Sequence, residues 1–231
     1  MLILAIDTAL DACAAGVLDT EAGKLLAQES ETMKRGHAEA LMPLIARVMK
    51  ASGIAFSDLD RIAVTTGPGS FTGLRVGLSA ARGIALAANK PVVGVTTLTA
   101  YAAPIVSQNG EHPVISAIDA RHGHVYFQAV GGDGSSLVRP QVAPIEEAVG
   151  ASKFGAAYLV GNAARMLADR WPADAPPLKV DAQAAPDIAW VAWLGAAVSP
   201  NTAPARPFYL RAPDAKPSMD PLQKAAQPAQ P

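Results

Sequence analysis

Residues 67–73 are the part of the chain whose residue types most clearly suit chemistry. They read Gly-Pro-Gly-Ser-Phe-Thr-Gly, after a predicted strand and before a predicted helix, where backbone N–H groups bind anions in other proteins. The spacing is not that of a Walker loop, and the third glycine of a dinucleotide fingerprint falls one residue late, at Gly73. Two interpretations remain open: a tight turn with Ser70 as the helix N-cap, and a weak phosphate-binding loop.

Two aspartates each end a predicted strand with the same triplet, Ala-Ile-Asp, at 5–7 and 117–119. A turn and a second strand follow each triplet at the same offset, which indicates an internal duplication. The second copy lacks a glycine-rich loop, so it is the degenerate one. Strand-end carboxylates can organise a metal or a phosphate. The sequence therefore predicts a possible nucleotide or phosphate cleft formed by Asp7, Thr8, Gly67, Gly69, Ser70 and Asp119.

The histidines do not form a recognisable metal site. His37 lies near the start of a predicted helix, but Ala40 and Leu41 occupy the positions where a second ligand would stand. His37 is therefore predicted to hydrogen-bond at the helix start. His122 and His124, on a predicted turn, are expected to face solvent. No catalytic residue, metal or cofactor is predicted.

Composition narrows the function classes further. Only 17% of the 231 residues are charged and the net charge is −1, against about 25% charged residues in an ordinary soluble protein. A neutral chain does not fit strong direct binding of nucleic acid through a basic surface. The single cysteine, Cys13, excludes a disulfide framework and is expected to be buried in a strand. The shortage of charge suggests that a partner covers part of the surface.

Three regions are predicted along the chain. Residues 1–105 form an N-terminal lobe with the order β-β-β-α-β-α-β, 106–211 form a C-terminal lobe, and 212–231 form a proline-rich tail that we expect to be disordered. The apolar start of the chain ends at Asp7 and is too short to span a membrane. The chain is expected to be cytoplasmic, with no membrane association.

Two predicted helices, 36–52 and 70–89, carry more apolar surface than an ordinary surface helix. The surplus fits burial inside the domain or an interface with a second chain. For the second case, Gly77→Leu is expected to break a heterodimer while leaving the chain folded. The predicted partner-contacting residues are His37, Leu41, Met42, Ile45, Met49, Gly73, Gly77 and Ala80.

Four segments together resemble the TsaB family, formerly called YeaZ: Ile-Asp-Thr at 6–8, His37 before Leu-Met-Pro at 41–43, the long run at 67–78, and Tyr-Leu-Arg at 209–211. The resemblance is strong over residues 2–103 and looser beyond them. It implies an α/β fold of the actin-like ATPase/Hsp70 (ASKHA) type, with two ribonuclease-H-like lobes of which the second is degenerate.

The resemblance also implies a function. TsaB-like proteins are non-catalytic scaffold subunits required for threonylcarbamoyl transfer to the adenosine beside the anticodon of tRNAs. They bind and stabilise a catalytic paralogue, TsaD, a TsaE ATPase joins the larger complex, and homodimers use an overlapping face. Leu41 stands where the paralogue has its second metal-binding histidine. The alternative, a metallopeptidase-like or phosphotransferase activity of the isolated chain, finds little support in the catalytic residues available.

Overall fold

The computed structural model describes residues 1–108 and 110–211, so the predicted tail at 212–231 lies outside the described residues. Continuously buried apolar runs in the first two strands and helical spacing after residue 36 produce a five-stranded sheet with three helices. Its order is β3-β2-β1-β4-β5, antiparallel over the first three strands and parallel from β1 to β5. The elements are β1 (Leu2–Asp7), β2 (Ala12–Asp19), β3 (Lys24–Thr32), α1 (His37–Ser52), β4 (Arg61–Gly67), α2 (Phe71–Ala88), β5 (Val92–Thr96) and α3 (Thr97–Val106).

A second sheet repeats this topology, with the order β8-β7-β6-β9-β10. The predicted duplication and the predicted α/β fold class are confirmed. The second copy is reduced, because its first two helices are five residues each where α1 has 16 and α2 has 18. Its elements are β6 (Val114–Asp119), β7 (His124–Val130), β8 (Ser136–Pro144), α4 (Ile145–Val149), β9 (Tyr158–Val160), α5 (Ala164–Ala168), β10 (Lys179–Asp181) and α6 (Ile188–Ala197).

Helices α1 and α2 cover one face of the first sheet. Strand side chains alternate between the two faces, so Leu4 and Ile6 pack with Leu41 and Ile45 on this side. Cys13 is fully buried in β2 and burial raises the pKa of its thiol to about 11, so it remains protonated and serves as a core residue.

Helix α6 covers the opposite face of the first sheet, which departs from the predicted lobe boundary. Ile188, Val191 and Ala192 pack with Ile3 and Ala63. Helix α6 is apolar around its whole circumference, as expected of a buried helix. Without α6, this face of the first sheet would be exposed to solvent. The guanidinium of Arg61 in β4 donates to the Gly195 carbonyl, 2.8 Å away, and ties the end of α6 to the sheet. The last part of the predicted C-terminal lobe, 106–211, therefore belongs structurally to the first lobe.

After α6 the chain forms a C-terminal strap, residues 203–211, across the first lobe. Gly94 N–H donates to the Ala203 carbonyl at 2.9 Å and Phe208 N–H donates to the Thr66 carbonyl at 2.8 Å. The Arg211 guanidinium then reaches the Ala120 carbonyl of the second lobe at 3.4 Å. The strap therefore contacts both lobes. None of the helices in the described ranges combines the length and the apolar character that a membrane crossing needs.

Candidate functional site

A cavity of about 440 Å³ lies between the two lobes. It is lined by the residues that follow β1, β4, β6 and β9, at the carboxyl ends of the strands where open α/β sheets bind ligands. Loops from both copies contribute, together with the strap. The lining residues are Leu10, Asp11, Lys34, Pro68, Gly69, Ser70, Phe71, Asp119, Ala120, Arg121, Tyr126, Asn162, Phe208, Tyr209, Leu210 and Arg211.

The glycine-rich loop at 67–73 packs directly on the turn after β1. A Cβ on Gly69 would lie 2.2 Å from the Ala9 carbonyl oxygen, and Ser70 N–H donates to that oxygen at 2.7 Å. The predicted N-cap is confirmed, since the Ser70 hydroxyl accepts from Gly73 N–H at 3.2 Å. Close backbone packing therefore explains why residue 69 is a glycine. Gly69 and Ser70 also line the cavity.

Asp7 is sealed away from the cavity. Its Oδ1 accepts from the Thr65 hydroxyl and from Ala9 N–H, and its Oδ2 is buried with no hydrogen-bond partner among the described residues. Burial raises the pKa of the Asp7 carboxyl, and the hydrogen bond from Thr65 partly offsets the shift. Thr8 is equally buried. Of the six residues predicted for a cleft, Gly69, Ser70 and Asp119 line the cavity, whereas Asp7, Thr8 and Gly67 do not.

Asp7→Asn is expected to stabilise the chain at neutral pH. The raised pKa means that the folded state holds the Asp7 proton more tightly than the unfolded state does. The contribution of Asp7 to the free energy of unfolding is therefore largest below the unfolded pKa, near 3.8. It falls as pH rises through the folded pKa. A neutral amide keeps the acceptor oxygen and removes the cost of a buried charge, which outweighs the smaller cost of one buried amide NH2 group without a partner. Urea titrations at several pH values should show the variant more stable by about 1 kcal/mol at pH 7. A difference that shrinks as pH rises from 4 to 7 would contradict this sign.

The turn after β6 is held by Asp119. The Asp119 Oδ1 accepts from Arg121 N–H at 2.8 Å, and Asp119 N–H donates to Oδ1 of Asn162 at 2.9 Å. Arg121 and His122 have φ of 66° and 52°, a left-handed conformation that is uncommon for residues with side chains. His122 is exposed as predicted, and His124 is half-buried with its ring donating to the His122 carbonyl.

Sequence reasoning missed three basic residues of the cavity: Lys34, Arg121 and Arg211. One signal was available for Arg121, because it follows the second Ala-Ile-Asp triplet by two residues. Lys34 and Arg211 come from distant segments, before α1 and at the end of the strap. The packing of the strap against both lobes brings Arg211 to the cavity, and the loop between β3 and α1 brings Lys34.

Most residues predicted to contact a partner lie in the core of this chain. Met42 is 49% exposed and Ala80 is half-buried. The His37 ring, at the first residue of α1, donates to the Leu10 carbonyl at 3.0 Å, so its hydrogen bond joins the helix to the turn after β1 and does not cap the helix start. The other predicted contacts are buried, because α1 and α2 pack on the sheet and on the turn after β1: Leu41, Ile45, Met49, Gly73 and Gly77.

The expectation that Gly77→Leu leaves the chain folded conflicts with the structure. A Cβ on Gly77 would lie 2.4 Å from the Thr8 hydroxyl oxygen. That oxygen belongs to a buried side chain which donates to the Gly73 carbonyl at 2.7 Å. Gly77 therefore serves close packing inside the chain, and a larger residue there disturbs the fold itself.

An open groove remains between α1 and α2, and we call it the α1–α2 groove. Met42 and Val76 contribute apolar surface, and the Arg75 guanidinium lies over the Phe71 ring at 3.8 Å from its centroid. Arg75 is the charged residue among those lining it, so the groove is mainly apolar. The lining residues are Ala38, Leu41, Met42, Phe71, Thr72, Arg75, Val76, Ser79 and Ala80.

Two lobes of one topology, facing each other across a cavity at the carboxyl ends of their strands, define a two-lobed α/β protein built on an internal duplication. A family model described as "TsaD: tRNA N6-adenosine threonylcarbamoyltransferase" matches residues 24–168. This match covers more than half of the 231 residues, so the chain belongs to that family.

Individual relatives confirm the resemblance to TsaB. The chain is 40% identical over 137 residues to the tRNA threonylcarbamoyladenosine biosynthesis protein TsaB of Escherichia coli K12, covering 59% of this chain and 58% of that protein. It is 36% identical to the Haemophilus influenzae TsaB, covering 55% and 53%. The solved structure of YeaZ from Pseudomonas aeruginosa superposes with a TM-score of 0.75 at 29% identity, covering 90% of this chain and 99% of YeaZ. The matched part spans a little over half the length of these two TsaB proteins.

Proposed function

We propose that this chain is a TsaB-type, non-catalytic subunit in the formation of threonylcarbamoyladenosine in tRNA, and that it binds and stabilises a TsaD-like catalytic paralogue. Family membership and the names of the TsaB relatives support a role in this modification. The net charge of −1 supports a link to tRNA that runs through the partner rather than through strong direct contact. The proposed setting is the cytoplasm.

The observation that carries the partner proposal is the α1–α2 groove with the exposed Met42 at its side. A half-exposed methionine beside Leu41 and Val76 gives an adaptable apolar surface of the kind that protein interfaces use. The Arg75 charge is placed over Phe71, which leaves the floor of the groove apolar.

The non-catalytic part of the proposal rests on the state of the candidate catalytic groups. The His37 ring is engaged with the Leu10 carbonyl, and Leu41, one helical turn on, is buried. Asp7 is closed off from the cavity. Within residues 1–108 and 110–211, no three or more His, Cys, Asp or Glu side chains are grouped to hold a metal ion. These features favour a scaffold over a metallopeptidase-like or phosphotransferase activity.

Two further assemblies belong to the proposal. A TsaE-like ATPase joins the heterodimer, and a homodimer uses the same α1–α2 groove in competition with the paralogue. A second copy and the paralogue cannot occupy one groove together, so adding the paralogue should convert homodimer to heterodimer. Sedimentation of the mixed proteins measures this exchange directly.

Met42→Glu is expected to weaken binding of the TsaD-like paralogue about tenfold or more, because a charge is placed on apolar surface that the partner desolvates. Isothermal titration calorimetry with the two purified proteins measures the affinity. Leu86→Glu is the matched control, since Leu86 is an 85% exposed leucine on α2 and does not line the groove. Its affinity should stay within about twofold of the unmodified chain.

Equal affinities of the TsaD-like paralogue for Met42→Glu and for the unmodified chain would show that the groove is not part of the interface.

The function itself is tested by assembling the modification reaction with and without this chain and measuring threonylcarbamoyladenosine in tRNA. Stoichiometric metal in the isolated chain, or rapid ATP hydrolysis by it, would overturn the non-catalytic assignment.

A further inference from the structure

A single charge stands at the edge of the α1–α2 groove, and the chain holds it in place. The Arg75 guanidinium lies 3.8 Å from the centroid of the Phe71 ring, and Arg75 is the one charged residue among the described residues that line the groove. We propose that Arg75 makes the groove selective for a partner helix with a carboxylate beside its apolar stripe, and that it disfavours pairing with a second copy of this chain. Selection of this kind rests on the proposed function and explains which partner the groove accepts.

The Arg75 charge is not neutralised by a carboxylate of its own chain. In the part of the chain that the structure describes, Arg75 forms no ion pair. The acidic residue in the first turn of α1, Glu39, lies back toward the helix start, where a Cβ built on Gly36 would be 3.9 Å from its Oε2. The next arginine along α2, Arg82, donates from Nε to the Ala205 carbonyl of the strap at 3.1 Å and does not line the groove. The groove therefore presents one unpaired cation to a partner.

The groove combines an apolar floor with a polar edge. Met42 and Val76 contribute to the floor. Thr72 and Ser79 stand three residues before and four residues after Arg75 on α2, so their hydroxyls share its face of the helix. A helix that fills the groove therefore needs an apolar stripe with a carboxylate on one flank. The guanidinium can then donate to both carboxylate oxygens, and the two hydroxyls supply further donors.

Pairing of two copies through this groove is unfavourable for the same reason. A two-fold interface uses the same patch on both chains, so each copy brings one arginine and no carboxylate from the groove. Two positive charges then enter one interface without a partner, which costs free energy. Rejection of a wrong partner contributes to specificity as much as contacts with the right one. Arg75 therefore favours the heterodimer over the homodimer through charge rather than through apolar area.

The first test measures the affinity of the TsaD-like paralogue by isothermal titration calorimetry. Arg75 is exposed, so its variants should keep the circular dichroism spectrum of the unmodified chain. Arg75→Glu should weaken binding about tenfold or more, and Arg75→Lys, which keeps the charge, less than about threefold. Arg139→Glu is the matched control, at an exposed arginine of β8 outside the groove, and should change the affinity less than about twofold.

The second test measures self-association by sedimentation equilibrium at about 50 and about 500 mM salt. Arg75→Gln should tighten the homodimer about threefold or more at the lower salt, because the like charges are removed. The homodimer of the unmodified chain should tighten as salt is raised, whereas its heterodimer with the paralogue should weaken, since salt screens repulsion in one and attraction in the other. The Arg75→Gln homodimer gives the baseline effect of salt on the apolar contacts.

Equal paralogue affinities for Arg75→Glu and the unmodified chain would overturn the proposal, and so would equal self-association of Arg75→Gln and the unmodified chain. A homodimer that weakened with salt as the heterodimer does would also overturn it, because a carboxylate would then face Arg75 in both assemblies. Failure of the paralogue to bind the unmodified chain would instead reject the proposed function, and self-association alone would then decide the role of Arg75. A chain that formed neither assembly would overturn both proposals.

Discussion

Gly73→Ala is expected to lower the free energy of unfolding by about 3 kcal/mol or more, although only one methyl group is added. The new Cβ would lie 2.1 Å from the Thr8 carbonyl oxygen, which is backbone and cannot rotate away. The Thr8 hydroxyl also donates to the Gly73 carbonyl at 2.7 Å, so moving the two segments apart breaks this bond. Urea unfolding followed by circular dichroism measures the loss.

Gly83→Ala is the matched control in the same helix. A Cβ at Gly83 meets no heavy atom within 4 Å, and alanine is the better helix former. This variant should therefore be more stable than the unmodified chain by up to about 1 kcal/mol. If both glycine variants shifted stability in the same direction, close packing of α2 on the turn after β1 would not be the reason.

Val191→Asp in α6 is expected to cost about 4 kcal/mol and to unfold the first lobe rather than the second. Val191 is fully buried against the first sheet, in a cluster with Ile3 and Val93. A carboxylate there has no partner and separates α6 from the strands. Hydrogen exchange should show lost protection in β1 and β4, with β6 and β7 retaining theirs.

Ala197→Asp places the same charge on the exposed end of α6 and serves as the control. Its cost should stay within about 1 kcal/mol, the size of an unfavourable helix-dipole interaction. If Val191→Asp lost hydrogen-exchange protection only in β6 and β7, α6 would belong to the second lobe. That result would agree with the lobe predicted from the sequence at residues 106–211.

The elements of the fold were predictable because their signals are local. Short apolar runs between turns, helical spacing after residue 36 and the N-cap at Ser70 each depend on a few neighbouring residues, and the strands, helices and N-cap predicted from them are present. The duplication was predictable because the two Ala-Ile-Asp triplets stand at the same place in two strands of equal topology.

The site was less predictable because it depends on contacts between distant segments. Helical periodicity showed that α1 and α2 carry surplus apolar surface, but not that their own sheet and the turn after β1 cover most of it. The position of Asp7 at a strand end suggested an exposed carboxylate, whereas it is fully buried and accepts hydrogen bonds from Thr65 and Ala9. The third cation of the cavity, Arg211, reaches it through the strap, which has no periodic signal of its own.

The placement of α6 has a consequence for synthesis of the chain. The first sheet and its three helices end at Val106, but the helix that covers its second face ends at Ala197. About 90 residues separate these points, and at about 5–20 residues per second the ribosome needs about 5–18 seconds to add them. During that interval an apolar sheet face with Ile3 and Ala63 lies open to water. We therefore expect the nascent first lobe to bind chaperones through this face, and release from them should coincide with the emergence of α6.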